Sequence, residues 1–236
     1  FMLSYKTLLS VFENIVNENT TSDRQLIIHE VMGRHCGWLT AATAFEYRKR
    51  LENLQFIEEL NIIKEKWDIH SILIPEKEID FDLECKRLNN IMNKYDCVNI
   101  FLSEGAGQQL IIDEKTKNGE HIERDAFGHV RLDDLNPGKW FAKEFSKRLS
   151  ANKVLIQKSG YFSRSAKPNL KDLELIIKCA DKAVESAVKG ISGVVGWDEE
   201  NNNTLTTIKF NRIKGGKPFD TNQAWYTKML TEIKNI

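Results

Sequence analysis

The chain has 236 residues, of which 41% are hydrophobic and 29% charged, a composition that forms a buried core and fits one large domain or two small ones. Lys plus Arg and Asp plus Glu each total 34, a formal net charge of zero, which argues against broad binding to nucleic acid or anionic membrane, since both demand a basic surplus. No apolar run approaches the roughly 18–20 residues needed to span a bilayer, and four scattered cysteines (Cys36, Cys85, Cys97, Cys179) without a CxxC pair read as reduced thiols of a cytoplasmic protein rather than zinc ligands.

The opening residues place Leu8, Val11, Phe12 and Ile15 at helical spacing. A Lys and a Glu inside that pattern, and the want of a small-residue cleavage site, speak against a signal peptide. The abrupt helical start leads us to expect further sequence upstream. Leu26–Val31 reads as a buried strand, Met32–Gly37 as a glycine-containing turn and Trp38 to about Arg50 as a helix. Residues 51–67 read as more helix, with Leu54, Ile57 and Leu60 on one face. Ser71–Ile74 is a short strand closed by Pro75-Glu76. Asp82 opens a helix that lines up Leu88, Ile91, Met92 and Tyr95, and Val98–Leu102 is the third strand.

Residues 112–135 are polar, with Gly119 and Gly128, and read as an excursion containing a small hairpin. Asn136-Pro137 has the grammar of an N-cap followed by a proline at the first helical position. The helix it starts carries Trp140, Phe141, Phe145 and Leu149. Lys153–Gln157 is the fourth strand. Asn169 is placed to cap a helix whose inner face would be Leu173, Ile176, Ile177, Ala180, Val184 and Ala187. Gly193–Trp197 and Leu205–Phe210 close the pattern as strands. Short apolar strands alternating with helices predict parallel βαβ units and a three-layer α/β fold.

Ligands of an open parallel sheet bind beyond the carboxyl ends of its strands. At those ends stand Met32-Gly33-Arg34, then Pro75-Glu76, then Glu104-Gly105-Ala106-Gly107, then Tyr161-Phe162-Ser163-Arg164. Gly33 and Gly37 let the backbone approach a ligand. The amino end of the helix from Trp38 favours an anion. Arg34 and Arg164 present planar forks suited to phosphate oxygens. Glu104 accepts hydrogen bonds, as a sugar hydroxyl requires, and Tyr161 can stack or hydrogen-bond. The implied ligand is polyhydroxylated and phosphorylated. Each feature alone has a plain structural reading: an arginine at a strand end forms surface ion pairs, Gly-Ala-Gly makes tight turns, His35 and Cys36 pack beside the turn, and Glu76 is a surface charge.

On these residues the chain resembles a phosphofructokinase of the clade that includes the pyrophosphate-dependent enzymes. The stretch Glu30–Ala44 (EVMGRHCGWLTAATA) is similar to the family's fructose 6-phosphate loop. Asn99–Gly107, Gly128–Phe141, Lys158–Ser165 and Lys214–Asp220 match the same clade. The resemblance implies that Met32, Gly33, Arg34 and Glu104 hold fructose 6-phosphate, with Tyr161 and Arg164 completing the pocket and Arg164 at the 6-phosphate. It also implies basic residues lent by a neighbouring subunit, for which Arg24 and Lys158 are weak candidates, and hence an oligomer.

The family's Thr-Ile-Asp segment, whose Asp takes the proton from the 1-hydroxyl, has no counterpart here. Nor has its Gly-Gly-Asp-Asp segment, which helps bind the donor and magnesium. The chain therefore resembles the carboxyl-terminal portion of such an enzyme: residues 1–163 as the fructose 6-phosphate-binding domain, and 164–236 as a segment returning to pack on the phosphoryl-donor domain. No catalytic residue and no magnesium ligand is expected in the chain. The resemblance favours pyrophosphate over ATP as donor. Three readings follow: one part of an active glycolytic phosphofructokinase, inactive without its upstream half or a second chain; a non-catalytic regulatory half binding a sugar phosphate as effector; or an unrelated sugar-phosphate-binding α/β module.

Overall fold

The computed structural model describes residues 2–120, 122–124, 130, 132–213 and 217–235. Its chain divides into two compact units: Ser4–Ser165 with Pro218–Ile236, and Ala166–Lys217 with the first three residues.

The larger unit holds a parallel four-stranded sheet of order β2-β3-β1-β4, with β1 Gln25–Val31, β2 Ser71–Leu73, β3 Cys97–Ser103 and β4 Lys153–Lys158. Residues β1 to β3 are buried throughout, as expected of strands covered on both faces. The alternation of side chains across each strand sorts the core into two clusters. Ile27, Val31 and Phe101 point into one, with Leu8, Leu9 and Phe12 from α1 (Met2–Val16) and Ala41, Ala44 and Tyr47 from α2 (Trp38–Leu51). Leu26, Ile28, Val98, Ile100 and Leu102 point into the other, with Leu88 and Met92 from one helix and Phe141, Phe145 and Leu149 from another. Helix, sheet and helix thus form the three layers the strand pattern predicts.

Three expectations are corrected within this unit. Residues 51–67 are not one helix: α2 ends at Leu51, and only the short α3 (Lys64–Trp67) follows. Asn61 takes a left-handed conformation (φ 57°) beside an antiparallel bridge between Ile57 and Ile62, which asparagine tolerates better than other side chains. Leu54, Ile57 and Leu60 are accordingly exposed. After α4 (Phe81–Tyr95), the stretch read as an irregular excursion begins inside a helix, α5 (Gln108–Lys117). An antiparallel bridge then joins Arg124 to Val130, and α6 (Leu132–Leu135) follows. Gly128 and residues 125–127, 129 and 131 lie outside the described residues.

Asn136 does not cap α7 (Pro137–Leu149) through its side chain; its amide oxygen instead accepts from Lys158 Nζ at 2.8 Å. The proline stands at the first helical turn as expected. Beyond β4 and α8 (Gly160–Ser165), the sequence pattern missed α10 (Ala224–Glu232), whose Tyr226, Met229 and Leu230 enter the first core cluster.

The smaller unit contains α9 (Leu170–Val188) and two strands, β5 (Val194–Asp198) and β6 (Thr204–Ile208). These strands do not continue the parallel sheet. They pair antiparallel as a separate ribbon, because the five residues between them, with Asn202 and Asn203 left-handed, are too few for a parallel crossover of a dozen or more. Asn169 caps α9 as expected, accepting from Asp172 N at 2.9 Å.

The expected inner face of α9 is not inner. Leu173, Ile176, Ile177 and Val184 are 40%, 55%, 60% and 64% exposed. Ser186, on a different face of the helix, meets the ribbon, with its hydroxyl 2.6 Å from Thr207 Oγ1. The ribbon covers the more polar side and leaves the apolar stripe open. Among the described residues no helix is long and apolar enough to cross a membrane.

Candidate functional site

β1 lies between β3 and β4 in register, so the segments after these three strands leave the sheet side by side. Val31 O accepts the Glu104 N–H at 2.9 Å, which extends the β1–β3 ladder into the loop. Ser103 Oγ donates to Gly33 O at 2.6 Å, and the Gly33 N–H donates to Glu104 Oε1 at 3.2 Å. The two loops are thus tied by both a side chain and a backbone amide. They approach so closely that a Cβ on Gly105 would lie 1.9 Å from Arg34 O, and one on Gly33 (φ +155°) would lie 2.5 Å from Cys36 O. Glycine at both positions is what lets Arg34 and Glu104 share one edge. Arg34 is half-buried and donates to Val130 O at 3.3 Å.

From the other side, β4 runs into α8. Arg164 Nε lies 3.1 Å from Met32 Sδ, and its guanidinium carbon sits 5.7 Å from the Tyr161 ring centre. Tyr161 is 83% exposed and Arg164 is exposed. The terminal guanidinium nitrogens of Arg164 bond to no described group, so its fork faces solvent. Met32, Gly33, Arg34, Glu104, Tyr161 and Arg164 therefore lie at the same carboxyl edge, linked in the pairs Gly33–Glu104, Met32–Arg164 and Tyr161–Arg164. Cationic forks, a carboxylate and a phenol around a glycine-lined turn can bind a phosphorylated polyol.

The two weaker candidates are placed differently. Lys158 Nζ bonds to Asn136 Oδ1 at 2.8 Å and lies 3.4 Å from Glu30 Oε1. Arg24 precedes β1, at the opposite end of the sheet. Its guanidinium donates to Ser150 O at 2.9 Å, Asn93 Oδ1 at 2.9 Å and Leu149 O at 2.5 Å, which closes the carboxyl end of α7 as a cation does well. The structure does not bring Arg24 to the other site residues.

The anion expected at the start of α2 is supplied by the chain itself. The Gly37 N–H donates to Glu76 Oε1 at 2.9 Å and Oε2 at 3.1 Å, and Phe219 N–H donates to the same Oε1 at 2.8 Å. Glu76 is a staple for three segments and not a ligand group. Glu30 does the same at α7, accepting the Gly138 N–H at 2.8 Å.

Sequence reasoning overlooked Glu30 and the pair His29–Ser159. The signal was there: two adjacent polar residues in the otherwise apolar run 26–31. Cys85 and Cys97 are buried, and burial pushes their thiols up to about 11 and about 12. All four cysteines are free.

The sequence model of the family described as Phosphofructokinase matches residues 4–187. The protein named pyrophosphate–fructose 6-phosphate 1-phosphotransferase in Methylomonas methanica is 52% identical over 222 residues, covering 94% of this chain and 54% of that one. Its namesake in Mastigamoeba balamuthi is 50% identical over the same length and shares. The chain spans about half the length of the curated relatives it matches. A solved pyrophosphate-dependent phosphofructokinase from Nitrosospira multiformis superposes with a TM-score of 0.53 at 18% identity, covering 93% of this chain and 48% of that structure. That likeness is one of fold.

Proposed function

Because the chain belongs to the phosphofructokinase family, we propose that it supplies the acceptor side of a pyrophosphate-dependent phosphofructokinase. In this reading it holds fructose 6-phosphate while a phosphoryl group passes from pyrophosphate to the 1-hydroxyl, giving fructose 1,6-bisphosphate in the glycolytic pathway of the cytoplasm. Met32, Gly33 and Arg34 bind the sugar phosphate, Glu104 accepts from its hydroxyls, Tyr161 packs on it, and Arg164 takes the 6-phosphate. Arg24 and Lys158 are the residues a neighbouring subunit would borrow in an oligomer, with Lys158 favoured by its position at the carboxyl edge.

The observation that carries the reading is the convergence of Arg34, Glu104 and Arg164, whose exposed guanidinium is held by Nε on Met32 Sδ, on one strand edge, in a chain about half identical to proteins named for that reaction. Phosphoryl transfer is mostly positioning and charge neutralisation. The acceptor half of that task is what these residues can do.

Magnesium, which the family reading implies, would neutralise charge on the donor phosphates. Among the described residues no group of three or more His, Cys, Asp or Glu side chains is placed to hold a metal ion, so no ligand is assigned to this chain. The general base and the donor site belong, in this reading, to an upstream segment or a second chain. The apolar stripe of α9 supports the companion proposal that the segment after residue 164, through its 166–217 unit, packs on that donor-binding part.

The test is an assay with fructose 6-phosphate and magnesium that compares pyrophosphate with ATP, for the chain alone and with the completing segment. Activity with pyrophosphate, only when both parts are present, is the expected result. Activity of residues 1–236 alone overturns the division of labour. A completed protein that binds fructose 6-phosphate without turnover favours the regulatory reading.

A further inference from the structure

We infer that His29 and Ser159 form a buried positioning pair that sets the tilt of α8 and so the affinity of the proposed pocket for its sugar phosphate. The inference rests on the acceptor-side reading above.

His29 is wholly buried in the central strand, between the ring of Phe12, stacked 5.6 Å away at 9°, and that of Phe101, edge-on at 5.0 Å. Two hydrophobic walls leave the imidazole one polar outlet. Its Nε2 lies 2.5 Å from Ser159 Oγ, and Ser159 is itself fully buried. Nδ1 finds no partner among the described residues. One hydrogen bond joins Nε2 and Ser159 Oγ in either tautomer, with Nε2 or the hydroxyl as donor. Burial pulls the imidazole pKa down to about 3, so the ring is neutral and keeps this hydrogen bond through the neutral range.

Ser159 is the joint between β4 and α8. Its N–H donates to Glu30 O at 3.0 Å, and its carbonyl accepts the Ser163 N–H at 3.2 Å, the bond that starts the α8 turn. The hydroxyl bond to His29 adds the third fixed point, and three points define an orientation. At the far end of the same turn, Arg164 meets Met32, three residues along the chain from His29. The β1 strand thus grips both ends of the segment that carries Tyr161 and Arg164. The pair touches no substrate position; it acts through α8. Sites that bind through exposed side chains on a short helix depend on such buried support, because a displacement of about 1 Å is enough to lose phosphate contacts.

The experiment measures fructose 6-phosphate affinity (KM and kcat in the completed enzyme, and the dissociation constant by 31P NMR titration) for wild type, Ser159→Ala, His29→Leu, the double variant and His29→Gln, each with its melting temperature. Expected are a KM about five- to tenfold higher with kcat within about twofold for either single variant, and a double variant no worse than the worse single one. His29→Gln, whose amide can still donate to Ser159, should regain most of the affinity. The pH profile of kcat between 5 and 8 should keep its shape, since a neutral buried ring titrates outside it. An unchanged KM in folded Ser159→Ala, or additive losses in the double variant, overturns the pair's role. A changed pH profile does so as well, because it assigns His29 to proton transfer. If wild type shows no affinity for fructose 6-phosphate, the acceptor-side reading itself is overturned, and the pair's role with it.

Discussion

The Glu76 carboxylate holds the Gly37 N–H with both oxygens, at 2.9 and 3.1 Å, and so closes the amino end of α2 from the turn after β2. The same oxygen that lies nearer Gly37 also takes the Phe219 N–H. Three segments of the larger unit therefore meet at one side chain. Removing it strands two amides and uncovers a helix end. Glu76→Ala should cost about 1–3 kcal/mol in urea unfolding, and Glu76→Gln, which keeps one acceptor oxygen, should cost less. A loss below about 0.5 kcal/mol, the range of ordinary surface changes, would show that water replaces the carboxylate.

Two buried histidines make stability sensitive to acid. His29 and His70 are pulled from 6.5 to about 3 and about 4, in each case chiefly by burial. His70 also accepts the Asn99 N–H on Nδ1 at 2.9 Å and faces Glu65 O from Nε2, so a second proton would break the first of these bonds. A folded-state pKa below the unfolded value means the unfolded chain binds more protons, and stability rises with pH. This contribution is complete above about pH 6.5 and is lost as pH falls towards 4, with a slope of up to about 1.4 kcal/mol per pH unit for each group. Urea midpoints measured from pH 7 to pH 4.5 should fall accordingly, and His70→Gln should remove about one proton's share of the slope. A flat profile would contradict the burial of both rings.

Gly105 tests the contact between the two site loops. A methyl group there would stand 1.9 Å from Arg34 O, and backbone has no rotamer with which to step aside. Gly105→Ala should displace the Arg34 turn and raise the KM for fructose 6-phosphate by about tenfold or more, the order expected when one charged hydrogen bond is misplaced. An unchanged KM would mean that Arg34 does not contribute.

The open stripe of α9 tests where the smaller unit docks. Ile176 and Ile177 are exposed by more than half, an arrangement that marks an interaction surface when several such residues adjoin. Ile176→Asp should leave the helical circular dichroism intact and weaken association with the donor-binding segment by about tenfold or more, read by size-exclusion or titration. Unaltered association would place the contact elsewhere.

Much of this was legible beforehand, and the exceptions have physical causes. β1 and β3 follow from their apolar runs, which are buried on both faces, and the α4 and α7 faces follow from helical periodicity. The shared edge of Arg34, Glu104 and Arg164 follows from strand ends alone. Periodicity misled at Leu54, Ile57 and Leu60, where the left-handed Asn61 and the Ile57–Ile62 bridge replace a helix. It also misled on α9, where a helix has an apolar face whether or not its partner is present. Glu76 and Arg24 were illegible because their partners are backbone groups up to about 140 residues away, which no local pattern records.

Arg164 decides the matter for the pocket. Its Nε meets Met32 Sδ, and its terminal nitrogens bond to no described group. The measurement is the KM for fructose 6-phosphate and for pyrophosphate in Arg164→Ala, taken in the completed enzyme. We predict a rise of about ten- to a hundredfold for the sugar phosphate, the worth of about 1.5–3 kcal/mol of charge-assisted hydrogen bonding, with the KM for pyrophosphate within about twofold. An unchanged KM for the sugar phosphate, or equal rises for both substrates, would contradict an acceptor pocket at this edge.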